Sequence, residues 1–204
     1  VNEGGGFMQP KIVPIGVSAR HVHLSEEHVE ILFGPGAALT RLRSLTQPHL
    51  FAARETVTVY GPKGFLAGVR VVGPPRAETQ VEISRSDGFL LGIDAPLRHS
   101  GDLEHTPGAR LVGPAGEVIL RKGVIVAARH LHLSTAAAER WGIRHMQTVS
   151  VRVGGERGLT FSRVLARVSD EYVPELHIDT DEGNAAGVKT GDFGEIVDAS
   201  AAFL

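Results

Sequence analysis

One octapeptide occurs twice, and this near-repeat constrains the fold more than any other feature. Ser18-Ala19-Arg20-His21-Val22-His23-Leu24-Ser25 returns as Ala127-Ala128-Arg129-His130-Leu131-His132-Leu133-Ser134. Each copy holds a His-x-His pair in an apolar run and ends on a serine. In a strand, side chains two residues apart share a face, so His21 and His23 point one way while Val22 and Leu24 point the other. On a helix the same spacing would place the two imidazoles on nearly opposite sides. Ser25-Glu26-Glu27 follows as an N-cap with acidic residues in the first turn, and Ser134-Thr135 repeats the cap.

What surrounds the copies is repeated as well. Lys11 to Val17 reads as a strand entering the first His-x-His, and Val118 to Val126 as a strand entering the second. The first capped helix carries Val29, Ile31, Leu32 and Phe33 and stops at Gly34-Pro35-Gly36; the second runs to Trp141 and stops at Gly142. Thr56 to Tyr60, the turn Gly61-Pro62-Lys63-Gly64 and Leu66 to Val72 form a β-hairpin. Thr148 to Val151 and the glycine-rich turn Gly154 to Gly158 answer it. Thr79 to Ser84 alternates as a strand, matched by Leu176 to Asp179. Between these, Leu39, Leu42 and Leu45 suggest a short helix, and Arg85 to Leu111 reads as a loop-rich connection. The order strand, helix, hairpin, strand recurs, so internal duplication is the best account. Short strands with Gly and Pro turns favour small barrels or sandwiches with a few capping helices. The expected fold is mainly β with short helices (α+β): two tandem related β-barrel domains with helical caps and a metal site between them. Residues 1–10 read as a flexible tail, 11–108 as the first half and 109–204 as the second, with strand exchange between halves allowed.

Composition narrows the chemistry. The 204 residues contain no cysteine, so disulfides, thiolate metal sites and a cysteine nucleophile are excluded. Any metal must rest on His, Asp or Glu. A net charge of −2 gives no global attraction to nucleic acid or to an anionic membrane. No apolar run reaches the roughly 20 residues of a membrane-spanning helix, and no signal peptide opens the chain, so a cytoplasmic protein is expected. Of the 21 basic residues 17 are Arg, the side chain suited to bidentate phosphate binding.

Aligning the halves sets His21 and His23 against His130 and His132, and Glu82 against His177. Each half then offers three ligand-type side chains, His-His-Glu and His-His-His. Either set with an open position suits catalytic zinc, and Mn, Fe or Co fit the same donors. The other five histidines (His28, His49, His99, His105 and His145) read as surface residues. Arg76, after a proline turn and before the Glu82 strand, is placed to aim a guanidinium at the site mouth. Lys63 and Arg70 are candidate anion contacts. Asp179 to Asn184 either tunes ligands from behind or caps a helix at Ala185-Ala186. Arg20 and Arg129 fall opposite the His pairs and read as structural.

These residues resemble a known family. The paired R-H-x-H-L-S motifs, G-P-K-G, V-x-G-P-x-R, T-Q-V-E-I-S-R-x-D, S-G-D-L and H-I-D-T-D-E-x-N-A-A are similar to those of PduL-type phosphotransacylases, the phosphate propanoyltransferases, over roughly Val13 to Val197. The resemblance implies reversible acyl transfer between coenzyme A and inorganic phosphate, giving acyl phosphate from propanoyl-CoA or acetyl-CoA. It implies two β-barrel domains with two zinc ions, held by His21, His23 and Glu82 and by His130, His132 and His177. Arg76 would be the catalytic, phosphate-binding arginine, and Val17, Ser18, Ala19, Lys63, Arg70 and Asn184 would line the coenzyme A site. Assembly as a homo-oligomer, a part in propanediol degradation and contact with microcompartment shell or cargo proteins belong to the same implication. Encapsulated members carry an N-terminal amphipathic extension, and the ten residues before Lys11 are too short and glycine-rich for one. The implied chemistry is direct attack of phosphate on the thioester. The rival reading is a metal-dependent bicupin oxygenase or isomerase, built on His21-x-His23 with Glu27 and Gly34 at cupin spacing. Against it, Ala137 stands where that glutamate should recur.

Overall fold

The computed structural model describes residues 10–197, so most of the expected N-terminal tail lies outside the described residues. Fifteen strands and four short helices follow in order. The first half runs β1 (Lys11–Ser18), β2 (His21–His23), α1 (Glu26–Phe33), β3 (Arg41–Ser44), β4 (Phe51–Tyr60), β5 (Phe65–Gly73), β6 (Gln80–Glu82) and α2 (Arg85–Leu91). Then come β7 (Leu97–Arg98), β8 (Arg110–Val112), β9 (Glu117–Ile119), β10 (Val124–Ala127) and β11 (His130–Leu133). The chain finishes with α3 (Thr135–Trp141), β12 (Thr148–Val153), β13 (Leu159–Val168), β14 (Glu175–Asp179), α4 (Thr180–Ala186) and β15 (Phe193–Val197).

The molecule is mainly β, as expected, but only one of the two barrels closes. Strands β1-β14-β11-β13-β12-β15 form a closed barrel, and the other nine strands form an open sheet, β7-β10-β6-β2-β5-β4-β8-β9 with β3 against β4. The strands leading into the two His-x-His pairs change places. β1 lies parallel to β14, with Gly16 beside His177, and antiparallel to β15, so it completes the barrel of the second half. β10 lies parallel to β6, with Ile125 beside Glu82. Accordingly Val13 and Ile15 are buried in the second core, and Val124 and Val126 in the first.

The open seam has a local cause. In the closed barrel, β1 meets β15 along Lys11–Pro14. The matching stretch ahead of β10 turns at Gly123, whose φ of 119° breaks the extended strand. The seam is then held by separate bonds to the segment ahead of β8, Val124 N–H to the Pro107 carbonyl (3.0 Å) and Gly123 N–H to the Thr106 hydroxyl (2.8 Å).

Register is strongly set where the site is built. Val22, Leu24, Leu131 and Leu133 are fully buried. A slip by one residue would turn each of them outward, at about 1.5–3 kcal/mol per side chain. The capped helices fall as read: the Ser25 hydroxyl accepts from His28 N–H and the Ser134 hydroxyl from Ala137 N–H.

Two local expectations are corrected. The Leu39-Leu42-Leu45 stretch is not helical; β3 pairs with β4 through Arg41↔Ala53 and Ser44↔Phe51. Its four residues are exposed, so strand pairing rather than an apolar face decides the conformation. The connection after Ser84 begins with a helix, α2, and not with loop. Ser84 accepts from Asp87 N–H while Asp87 reaches back to Ser84 N–H, a capping box that starts the helix despite Gly88.

Candidate functional site

The short strands that carry the histidines place the third ligand-type residue directly across the ladder. In the antiparallel pair β2/β6, His21 faces Glu82 and His23 faces Gln80; in β11/β14, His130 faces His177 and His132 faces Glu175. Residues opposite one another on a ladder share a face, so each half gathers its ligand set without help from loops. The ligand atoms of His21, His23 and Glu82 all lie within 4.8 Å of one another, and those of His130, His132 and His177 do the same.

Hydrogen bonds fix which ring nitrogens are free. Nδ1 of His21 meets the Ala19 carbonyl at 2.9 Å, Nδ1 of His130 the Ala128 carbonyl at 2.9 Å, and Nδ1 of His23 the Val72 carbonyl at 3.1 Å. A carbonyl only accepts, so Nδ1 carries the proton and Nε2 keeps its lone pair, the arrangement of metal-ligating histidines. His177 is held the other way, with Nε2 on the Glu175 carboxylate. The buried Nδ1 of His132 has no hydrogen-bond partner. Three imidazole rings with centroids 4.8–5.0 Å apart fit a bound cation better than an empty polar core.

Burial and neighbouring charge keep the rings of His23, His130 and His132 neutral, the state a metal requires. Burial, then His21 and Arg76, lowers His23 to about 3. Burial and His177 lower His130 to about 4, and burial, His177 and His130 lower His132 to about 2. Burial alone would raise Glu82, but His21, His23 and Arg76 outweigh it and bring the carboxyl to about 2. The two groups lie within electrostatic reach, since the Glu82 charge bears on His130.

Arg76 is tied to this centre. Its backbone N–H donates to the Leu24 carbonyl (2.8 Å), and its guanidinium donates to the Ser100 hydroxyl (3.0 Å), which donates onward to Glu82 (3.0 Å). Burial lowers the pKa of the guanidinium, Glu82 raises it and Arg167 lowers it again. Two arginines thus act on one another beside the histidines.

Several residues of the site are not among the candidates read from the sequence, although Gln80 lies within the T-Q-V-E-I-S-R-x-D motif. Gln80 donates to Ser100 and Glu82. Tyr172 lies over His132 with ring centroids 4.3 Å apart. Gln47 donates to the Val173 carbonyl and to Glu175, across 126 and 128 residues of chain. Arg167 stands beside His132 in the parallel pair β11/β13. For Gln80 and Glu175 register is a signal, since they occupy matching places two residues before Glu82 and His177.

The remaining candidates divide. Val17 and Ser18 lie along β14 beside Ile178 and Asp179, and the Val17 side chain packs near Gly183 of α4. Ala19 is exposed beyond them, and Asn184 is exposed on α4, the same helix. Lys63 is exposed in the β4–β5 turn, with its stem against Gly92 at the end of α2. Arg70 stands beside His21 in register, but its Nη1 is held by the Ala53 and Arg54 carbonyls. Of the five histidines read as surface, His49, His99, His105 and His145 are exposed, whereas His28 is half-buried with Nδ1 on Thr79 Oγ1. The acidic stretch is a helix start: Asp179 caps α4 and Glu182 closes its capping box, so the helix begins at Thr180 rather than at Ala185. Glu27, which the cupin reading needs near the pair, is exposed on α1.

The family model described as phosphate propanoyltransferase matches residues 14–189. This chain belongs to that family. It is 52% identical over 191 residues to a phosphate propanoyltransferase of Thermotoga maritima, covering 93% of this chain and 90% of the relative. It is 51% identical over 181 residues to one from Salmonella typhimurium, covering 88% of this chain and 86% of the relative. Family membership sets the bicupin reading aside. Among the described residues no helix is long and apolar enough to cross a membrane.

Proposed function

We propose that this protein reversibly converts an acyl-CoA, propanoyl-CoA or acetyl-CoA, and inorganic phosphate to acyl phosphate and CoA. Membership in the phosphate propanoyltransferase family supports the activity. The observation that carries the site assignment is Arg76 beside two clustered ligand sets, bonded through Ser100 to Glu82.

Two divalent ions, with zinc best suited to the donors, would be held by His21, His23 and Glu82 and by His130, His132 and His177. When bound they supply charge compensation for phosphate and Lewis-acid stabilisation of an oxyanion. Arg76 binds phosphate by a two-pronged contact and orients one oxygen toward the thioester carbonyl, with Arg167 adding positive charge. Ser100 fixes Arg76 and Glu82 relative to one another. A phosphate oxygen bonds to the carbonyl carbon, the C–S bond breaks, and CoA leaves as thiolate. The chain has no cysteine to carry an acyl group, which favours direct attack. Val17, Ser18, Ala19, Lys63, Arg70 and Asn184 contact coenzyme A in this reading. A cytoplasmic setting, where both substrates are present, accords with it.

Thiol release from propanoyl-CoA and acetyl-CoA, with and without phosphate, tests the proposal. Release should depend on phosphate and vanish in Arg76→Ala with metal content unchanged. Phosphate-independent release would identify a thioesterase instead.

A further inference from the structure

Gln80 and Glu175 occupy the same place in the two halves. Each lies directly across the ladder from the second histidine of its His-x-His, His23 for Gln80 and His132 for Glu175. Each is buried, at 1% and 5% exposure, and each bonds the third ligand-type residue two positions on. The chemistry of the pair is reversed. In the first half the Gln80 amide donates to the Glu82 carboxylate. In the second the Glu175 carboxylate accepts from the His177 ring.

We infer that Glu175 is a positioning residue that supplies to the His130-His132-His177 group the negative charge that Glu82 supplies to the other. Counted as partner plus third residue, Gln-Glu and Glu-His each carry one formal negative charge. In one half it sits on the ligand, and in the other one bond behind it. A carboxylate on the far nitrogen of a ligating imidazole orients the ring and raises its basicity. Here it takes Nε2 of His177 and leaves Nδ1 to offer a lone pair.

The surroundings of Glu175 are built for a charged carboxylate. Gln47 and Thr46 also donate to it, so three donors converge there, more than the single carbonyl oxygen of a glutamine could satisfy equally. Gly16, the β1 neighbour of His177, leaves the space: a Cβ there would come within 3.1 Å of the Glu175 carboxyl carbon. The matching neighbour of Glu82 is Ile125, a bulky side chain where the second half has glycine. Gln47 comes from the first half, which thereby helps to complete the group of the second.

This inference rests on reading both groups as metal sites, and the test separates the two. Metal per chain is measured in the full-length protein by elemental analysis against graded chelator, with circular dichroism as a check on folding. If wild type holds no metal at either group, the site reading itself fails. Otherwise Glu175→Gln should weaken retention of one of the two metals about 10–100-fold. His177→Glu, which places two carboxylates side by side, should also lose one metal. The double variant E175Q/H177E copies the Gln-Glu arrangement of the first half and should hold two metals again. Unchanged retention in Glu175→Gln, loss of both metals, or a double variant no better than its singles would overturn the role given to Glu175.

Discussion

The two halves use one plan to different ends. Both carry a capped helix after R-H-x-H-L-S, a hairpin, and a strand bringing the third ligand-type residue across the ladder. One half closes into a barrel and holds three histidines; the other stays open at Gly123 and holds two histidines, a glutamate and Arg76. Where Arg76 N–H bonds the Leu24 carbonyl, Ser169 N–H bonds the Leu133 carbonyl. The frame of ligand-type residues is therefore common to both halves, whereas the place of Arg76, the proposed phosphate-binding residue, is taken by Ser169 in the second. The sharpest way to break this comparison is functional. Arg76→Ala should reduce phosphate-dependent CoA release by at least about 10²–10³-fold, the scale of losing a positioned charge donor. Ser169→Ala should stay within about 2-fold in the same assay. Equal losses would mean that both places serve catalysis.

The second contrast concerns closure. The open seam runs past Gly108, next to the Pro107 carbonyl that accepts from Val124 N–H, and a Cβ there would lie 1.9 Å from the Leu120 carbonyl oxygen. Backbone cannot yield there without breaking the bond from Leu120 N–H to Ala109. Gly108→Ala should cost about 2–4 kcal/mol in urea unfolding, within the range for forced backbone clashes. The closed barrel has no such dependence at Gly154, which has nothing within 4 Å of a Cβ. Gly154→Ala should fall within about 1 kcal/mol of wild type.

Much of this frame was legible because it is local. His-x-His alternation, the Ser25 and Ser134 caps and the glycine-turn hairpins depend on neighbours a few residues away. Repetition then paired Glu82 with His177, which the ladders place opposite His21 and His130. The α2 helix was missed because Gly88 and its brevity hide it, although Ser84-Arg85-Ser86-Asp87 carries the box. β3 is hidden because leucines at helical spacing suggest a short helix there, yet Leu42 is 47% exposed and the strand has no apolar face. The barrel's completion by β1, and the roles of Gln47, Tyr172 and Arg167, depend on contacts tens to more than a hundred residues apart or on register, which no local pattern encodes.

Acidification separates the halves more gently. His130 and His132 are lowered to about 4 and about 2, and His23 to about 3. A histidine with a folded pKa below its unfolded 6.5 binds its proton first in the unfolded chain. Its stabilising effect is whole above pH 6.5 and lost as pH falls toward the folded value. Each such group contributes a slope of up to about 1.4 kcal/mol per pH unit. Glu82, lowered to about 2, adds its own loss only between about 4.5 and 2. Chelator-treated protein should therefore lose thermal stability between pH 6.5 and 4. His132→Asn should flatten that slope by about a third, one of three histidines. A pH-independent midpoint over this window would contradict the neutral buried rings.

The smallest contrast tests whether equivalent salt bridges are equivalent in energy. Arg20 reaches Asp87 at 2.9 Å and Arg129 reaches Glu182 at 2.8 Å, each carboxylate being the third helical residue of its capping box. The frames match, but the Asp87 side chain is 3% exposed and that of Glu182 21%. Removing the arginine leaves a carboxylate that water reaches poorly in the first case and readily in the second. Arg20→Ala should cost about 1–3 kcal/mol, since the Ser84 N–H and the helix start still hold part of the charge. Arg129→Ala should cost about 0.5–1 kcal/mol, near the value of an exposed pair together with its contact over the Phe161 ring. Urea unfolding of the two variants side by side decides it. Equal costs would mean that burial at the helix start does not set the strength of these bridges, and a larger cost for Arg129 would place the greater dependence in the closed barrel.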